Sequence, residues 1–157
     1  MIVIADTSPI NYLILIGEID VLPALYGRVL IPPSMREELG RARAPEAVRL
    51  WITRPPVWLE IREPNASSDL SLFHLDPGER DAILLAEELH ADQVIIDESR
   101  GRREARRRNL SFTGTLGVLQ AGAKQGLLDL KIAAGRLRQT SFHVSQHILD
   151  RLIESQD

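Results

Sequence analysis

Cysteine is absent from these 157 residues. Disulfides and thiolate metal sites are therefore excluded, and any bound metal must be held by carboxylate, imidazole or carbonyl groups. The absence fits a reducing cytoplasm, which is the expected location. Long hydrophobic runs are missing as well. The apolar stretches are too short to span a bilayer, and the start has no basic segment while Asp6 interrupts its apolar residues, so it is no signal peptide. A membrane is not expected among the partners. Aromatic residues are scarce, at 4%, so stacking on bases is not expected to lead recognition. Neither charge sign dominates: the net charge is −3, and the chain as a whole does not advertise binding to nucleic acid. No repeat at solenoid spacing is visible.

What is present is an ordinary globular composition, 44% hydrophobic, in a chain long enough to bury a substantial core. One domain over 1–157 is expected, with a C-terminal helical extension over about 129–157. Residues 2–5 are short, apolar and β-branched, as in a buried strand. Thr7 or Ser8 can cap the helix that follows, with Pro9 in its first turn. A helix over 21–26, a strand over 28–31 and a helix from Ser34 through Leu39 come next. A helix begins at Pro45-Glu46-Ala47 and is ended by Pro55-Pro56, and a third strand is expected over 57–61. Residues 63–72 read as a polar loop. Asp76-Pro77-Gly78-Glu79 has the cap, first-turn proline and third-position glutamate of a capping box, opening a helix to about His90. A fourth strand over 93–96, a basic helix to Arg108 and a fifth strand over 110–112 follow. Thr115 can cap the next helix, and amphipathic segments lie over 130–137 and 144–153. Strands alternating with helices predict a three-layer α/β fold, with a mostly parallel five-stranded sheet flanked by helices.

Two of these strands end in acids, Asp6 and the pair Asp97-Glu98. Two further acidic groups, Glu37-Glu38 and Glu79 with Asp81, lie near helix starts. In a parallel sheet, strand ends and the helix starts after them share the edge where ligands bind. Each acid also has a plainer reading. Asp6 can cap a helix, Glu79 can complete the capping box, Asp81 and Glu98 can favour helix dipoles, and one of Glu37 and Glu38 can be solvated surface. As a set at one edge, however, they cannot all stay ionised without a cation. Oxygen-only ligands favour Mg²⁺ or Mn²⁺, and such a site can activate water for in-line attack on a phosphodiester.

Asp6-Thr7-Ser8, Glu38-Leu39, Gly78-Glu79-Arg80-Asp81-Ala82 and Ile96-Asp97 resemble, in order and spacing, the acidic motifs of PIN-domain nucleases. The stretches 75–86, 95–103 and 113–119 are more similar to a small prokaryotic branch like the VapC toxins of toxin–antitoxin pairs. The resemblance implies a PIN-like fold and Mg²⁺- or Mn²⁺-dependent cleavage of RNA, with a cognate antitoxin protein as a partner and a homodimer as the assembly. Asp6, Glu38, Asp81 and Asp97 match the catalytic acids, with Asp6, Asp81 and Asp97 as metal ligands. Glu79 competes with Asp81 and Glu98 with Asp97. Thr7 or Ser8 matches a ligand-orienting hydroxyl.

Six of the nine residues over 100–108 are arginine. Arg100, Arg102, Arg103, Arg106 and Arg107 are expected to hold an RNA backbone beside the acids, because a guanidinium makes paired hydrogen bonds to phosphate. Arg108 ends the run, and the plainer alternative for all six is a solvated face tied to Glu104. His143 and His147 are spaced four apart but lack the zincin glutamate, so a surface helix is the better reading. His74 and His90 are isolated. Two rival functions on an α/β fold stand beside RNA cleavage. One is a non-catalytic module binding nucleic acid or an acidic protein through the arginines. The other is a metal-dependent phosphoryl hydrolase acting on a small ester.

Overall fold

The computed structural model describes residues 1–65 and 69–155. Five strands, β1 (Val3–Ala5), β2 (Val29–Ile31), β3 (Leu59–Ile61), β4 (Gln93–Ile95) and β5 (Phe112–Thr113), form one parallel sheet in the order β3-β2-β1-β4-β5. Nine helices of the described residues flank it in a three-layer α/β arrangement. They are α1 (Thr7–Leu15), α2 (Val21–Tyr26), α3 (Pro33–Leu39), α4 (Glu46–Thr53), α5 (Pro77–Glu88), α6 (Ser99–Arg107), α7 (Thr115–Lys124), α8 (Leu130–Arg138) and α9 (Gln146–Glu154). The central strands are wholly buried because helices cover the sheet, which is why β1 and β2 read as unbroken apolar runs. Ile4 is paired with Leu30 on one side and Val94 on the other.

The strand order places the site. The chain builds outward from β1 to β3, then returns to lay β4 against the free side of β1. The order therefore reverses between β1 and β4, and the crevice beyond their carboxyl ends is where such sheets bind ligands. Ala5 is paired with Ile95, and the N–H of Asp6 donates to the Ile95 carbonyl at 2.8 Å. Asp6 and Asp97 thus leave neighbouring strands at nearly the same level.

The main core runs through Val3, Ile4, Ile10, Leu13, Leu85 and Val118, and Leu130, Ala133 and Leu137 of α8 join it. A smaller cluster of Leu72, Leu75, Ile83, Leu84 and Ala105 joins α5 to α6. Among the described residues, no helix is long and apolar enough to cross a membrane.

Several boundaries differ from expectation for local reasons. The third strand starts at Leu59, because Leu59 N–H turns back to the Pro56 carbonyl and leaves Val57 in solvent. The fifth strand is displaced to Phe112–Thr113, although Val94 N–H still reaches the Ser111 carbonyl at 2.9 Å. Asp6, rather than Thr7 or Ser8, occupies the cap position of α1, and Gly114 rather than Thr115 that of α7. Helix α9 starts at Gln146, where Ser145 Oγ accepts from Ile148 N–H at 3.2 Å, so His143 lies in the preceding loop. Of the polar loop expected over 63–72, residues 66–68 lie outside the described residues, and Leu70–Leu72 form a short 3₁₀ turn.

Candidate active site

Asp6 is the best-buried acid at the sheet's carboxyl edge, 4% exposed. It holds the cap position of α1, yet its carboxylate makes no capping hydrogen bond. The capping explanation for this residue therefore fails. Burial pushes its pKa up from 3.8 to about 8. The nearby Thr7 backbone N–H offsets part of that rise, while the charges of Glu79, Glu38 and Asp97 add to it.

Glu79 serves two purposes. Its Oε1 accepts from Asp76 N–H at 3.4 Å and completes the capping box of α5. Its Oε2 is buried and has no hydrogen-bond partner. Burial, followed by the charge of Asp76, raises its pKa to about 7. Glu38 is half-buried, and its Oε2 accepts from Thr7 Oγ1 at 3.0 Å; its neighbour Glu37 is the exposed surface residue of the pair. Asp6, Glu38, Glu79, Asp76 and Glu98 line one pocket of about 250 Å³, with α1 closing it through Thr7, Ser8, Asn11 and Tyr12.

Asp97 stands beside this pocket and is the most firmly oriented acid. Its Oδ1 accepts from Thr115 N–H at 2.8 Å, and its Oδ2 from Thr115 Oγ1 at 2.7 Å and Ser8 Oγ at 3.1 Å. The hydroxyls of Thr7 and Ser8 therefore each orient a different acid. Glu98 lines the pocket from an exposed position at the cap of α6.

Asp81 is placed elsewhere. Its Oδ2 accepts from Ser34 Oγ at 2.7 Å, fastening α5 to α3, and it does not line the pocket. Two residues along a helix are about 200° apart around its axis, so Glu79 and Asp81 cannot face the same cavity. The structure brings Glu79 to the site and gives Asp81 a structural bond.

Three glycines let these walls close. A Cβ on Gly78 would lie 3.1 Å from Glu38 Oε2. One on Gly101 would meet Ile96 Cδ1 at 2.3 Å and Glu79 Oε2 at 2.9 Å, and one on Gly114 would meet Arg102 Nη2 at 2.0 Å and Asp97 Oδ1 at 2.7 Å. Gly101→Ala is expected to displace Ile96 and Glu79 and to cost about 2 kcal/mol through overpacking, a fall in melting temperature of about 4–8 °C. Thermal melts of the two proteins check this.

Among the described residues, no three carboxylate or imidazole groups converge into a ready-made metal cage; the acids ring the pocket instead. Their chemistry nevertheless fits a hard divalent cation. The donors are all oxygen, one buried carboxylate oxygen has no hydrogen-bond partner, and the buried acid Asp6 feels the charges of Glu79, Glu38 and Asp97.

The arginines divide into two groups. Arg102 lies within 4.0 Å of Asp97 Oδ1, donates to the Ile96 carbonyl at 2.9 Å, and stacks with Arg106 against Phe112. Arg103 is exposed, and Arg100 donates to the His74 carbonyl at 3.2 Å. Arg107, by contrast, is bound to buried Glu104 at 3.1 Å, and Arg108 to Glu104, Glu87 and Asp69. Arg107 and Arg108 therefore hold the fold. Arg102 opens onto a groove of about 960 Å³ that also includes Phe112, Phe142 and His143. Folding thus supplies aromatic faces beside the arginines that do not neighbour them in sequence. Tyr12 holds the far wall, edge-on to Phe142 at 5.0 Å and hydrogen-bonded to Ser141 Oγ at 2.9 Å.

Residues 2–157 match the model of a family described as PIN domain. Comparison with curated proteins yields no match.

Proposed function

The chain belongs to the PIN-domain family, whose members are generally nucleases and typically use divalent metals, and on that footing we propose that it is a divalent-metal-dependent endoribonuclease. The observation that carries this reading is the pair of buried acids, Asp6 and Glu79, lining one pocket, with a carboxylate oxygen of Glu79 left without a hydrogen-bond partner. Asp6, Glu79, Asp97 and Glu38 would hold Mg²⁺ or Mn²⁺, with Glu98 at the rim. Such an ion supplies an acidified water and offsets the charge that grows at phosphorus.

The chain's own groups do the positioning. Thr7 fixes the rotamer of Glu38, while Ser8 and Thr115 fix Asp97. This saves the reorganisation a loose carboxylate would need. Arg102, beside Asp97, and Arg103, Arg106 and Arg100 along α6 offer guanidinium groups to the phosphates of a bound strand. Asp81, Arg107 and Arg108 are not part of the proposed machinery, because each is committed to a structural bond.

The proposed setting is a toxin in the cytoplasm, acting as a homodimer and neutralised by a small antitoxin protein. The support is the VapC-like character of the stretches 75–86, 95–103 and 113–119. Expression of wild-type protein in a bacterial host is expected to arrest growth, and Asp6→Asn to restore it.

The direct test is incubation of purified protein with single-stranded RNA and, separately, with a small phosphate ester, in Mn²⁺ and in EDTA. Internal cleavage of RNA in Mn²⁺ alone is the expected result. Turnover of the ester without RNA cleavage would favour the phosphoryl hydrolase. RNA binding without any cleavage would favour the non-catalytic module.

A further inference from the structure

Three cavities meet along the first turns of α1. The acidic pocket shares Ser8, Tyr12 and Glu98 with the large groove that holds Arg102, Phe112 and Phe142. On its other side it shares Thr7, Asn11 and Glu38 with a third cleft of about 240 Å³, whose outer wall is Arg41, Arg43, Ala44 and Pro45. The dividing wall follows from helix geometry. Residues 7 and 11 are one turn apart on a single row of α1, and 8 and 12 lie on the adjacent row. One row faces the Arg41 cleft and the other the Arg102 groove, with the acids between them.

Among the described residues, no side-chain hydrogen bond or ion pair gives Arg41 or Arg43 a structural task. They lie in the short turn between α3 and α4, are exposed, and make no ion pair among the described residues. Arg107 and Arg108, in contrast, are tied to buried or half-buried acids. The acidic pocket also raises an electrostatic problem. In a chain of net charge −3, a ring of carboxylates repels a polyanion that must cross it. Cations on one flank alone would hold an end of a strand. Cations on both flanks hold a strand that continues past the acids in each direction.

From this arrangement, which rests on the nuclease reading above, we infer that Arg41 and Arg43 form a second phosphate-gripping arm, so that a single-stranded RNA crosses the acids from the Arg41–Arg43 cleft to the Arg102–Phe112 groove. The two arginines are positioning residues. They set where the strand lies and do not touch the reacting atoms.

The test is binding of a fluorescein-labelled oligouridine of about 12 nucleotides, followed by anisotropy in EDTA over a range of salt concentrations. The proteins are wild type, R41A/R43A, R41K/R43K and the control K131A/R138A, whose side chains line none of the three cavities. R41A/R43A is expected to bind about tenfold more weakly at low salt. Its log–log salt slope should fall by about 1.4, from two phosphate contacts at roughly 0.7 each on a single strand. R41K/R43K keeps most of the slope because the charge remains, and K131A/R138A stays close to wild type. An R41A/R43A protein that binds with wild-type affinity and slope overturns the arm, as does an equal loss in K131A/R138A. Cleavage by the wild type in Mn²⁺ is scored separately. A wild type that binds through this arm but does not cut overturns the nuclease reading and leaves the arm standing, and a wild type that does not bind the RNA overturns both.

Discussion

Asp6→Asn protein is expected to melt higher than wild type while losing RNA cleavage by about 10³-fold, the order of loss when a group that stabilises transition-state charge is removed. The two effects have one cause. Asp6 is buried, and burial, with Glu79, Glu38 and Asp97 nearby, lifts its pKa to about 8, against 3.8 for an unperturbed aspartate. Between those values the native state holds a proton that the unfolded chain has released. Stability from this group is complete below about pH 3.8 and is lost progressively as pH rises through about 8. Glu79, raised to about 7, acts in the same direction. Above pH 8 both acids oppose folding, as expected where buried carboxylates serve a site rather than stability.

Asparagine nearly keeps the volume of Asp6 and discards the charge. The gap between 3.8 and about 8 has an upper bound of roughly 5–6 kcal/mol. Water entry and relaxation reduce it, and a gain of about 2 kcal/mol is expected. That is a rise of about 4–8 °C in melting temperature in EDTA above pH 8, shrinking toward acid pH. Added Mn²⁺ should reverse the order by stabilising only the wild type. Melts across pH, with and without Mn²⁺, measure all of this. A mutant that melts lower, or a gain that does not vary with pH, would contradict the account.

Arg108→Ala is expected to cost about 3–4 kcal/mol of stability. Arg108 closes α6 and reaches three acids on three segments. It donates to Glu104 Oε1 at 2.8 Å, to Glu87 Oε1, and to Asp69 Oδ2 at 3.1 Å, with Ser71 Oγ at 2.8 Å as a fourth partner. Burial alone would lower the guanidinium's pKa, but the hydrogen bonds to Glu104, Glu87 and Asp69 more than reverse that. Glu104 is the vulnerable member, because it is 2% exposed. Without Arg108 it keeps, among the described residues, exposed Arg107 at 3.1 Å and His74 at 3.9 Å. An under-compensated buried charge is what makes one-sided removal costly.

The expected fall in melting temperature is about 6–16 °C. The double variant Arg108→Met/Glu104→Leu should recover most of it, since two apolar groups of similar volume leave no buried charge behind. A single variant that melts within about 2 °C of wild type would mean that this network contributes little.

Much of this was legible in the sequence where one local rule applied. The motif Asp76-Pro77-Gly78-Glu79 opens α5 as capping chemistry predicts, and Asp6 and Asp97 follow strands that share an edge. The choice between Glu79 and Asp81 was open because both are acids near a helix start. Periodicity held a signal: Glu79 shares the buried stripe of α5 with Ala82, Ile83 and Ala86, and Asp81 does not. The same logic sorts the arginine run, since Gly101, Glu104 and Ala105 form the buried face of α6 and Arg108 continues it. The glycines are beyond the reach of sequence, because what Gly101 makes room for is Ile96 and Glu79, and what Gly114 makes room for is Arg102 and Asp97, side chains that only the fold brings there. Likewise the reversal between β1 and β4, which turns separate acids into one site, is a property of the assembled sheet.

The most direct test of the acidic pocket as a metal centre is calorimetric titration of Mn²⁺ into wild type, Glu79→Gln and Asp81→Asn. We predict a saturable heat in wild type that Glu79→Gln loses and Asp81→Asn keeps. Heat that survives in Glu79→Gln and disappears in Asp81→Asn would contradict the account and return the site to the other acid.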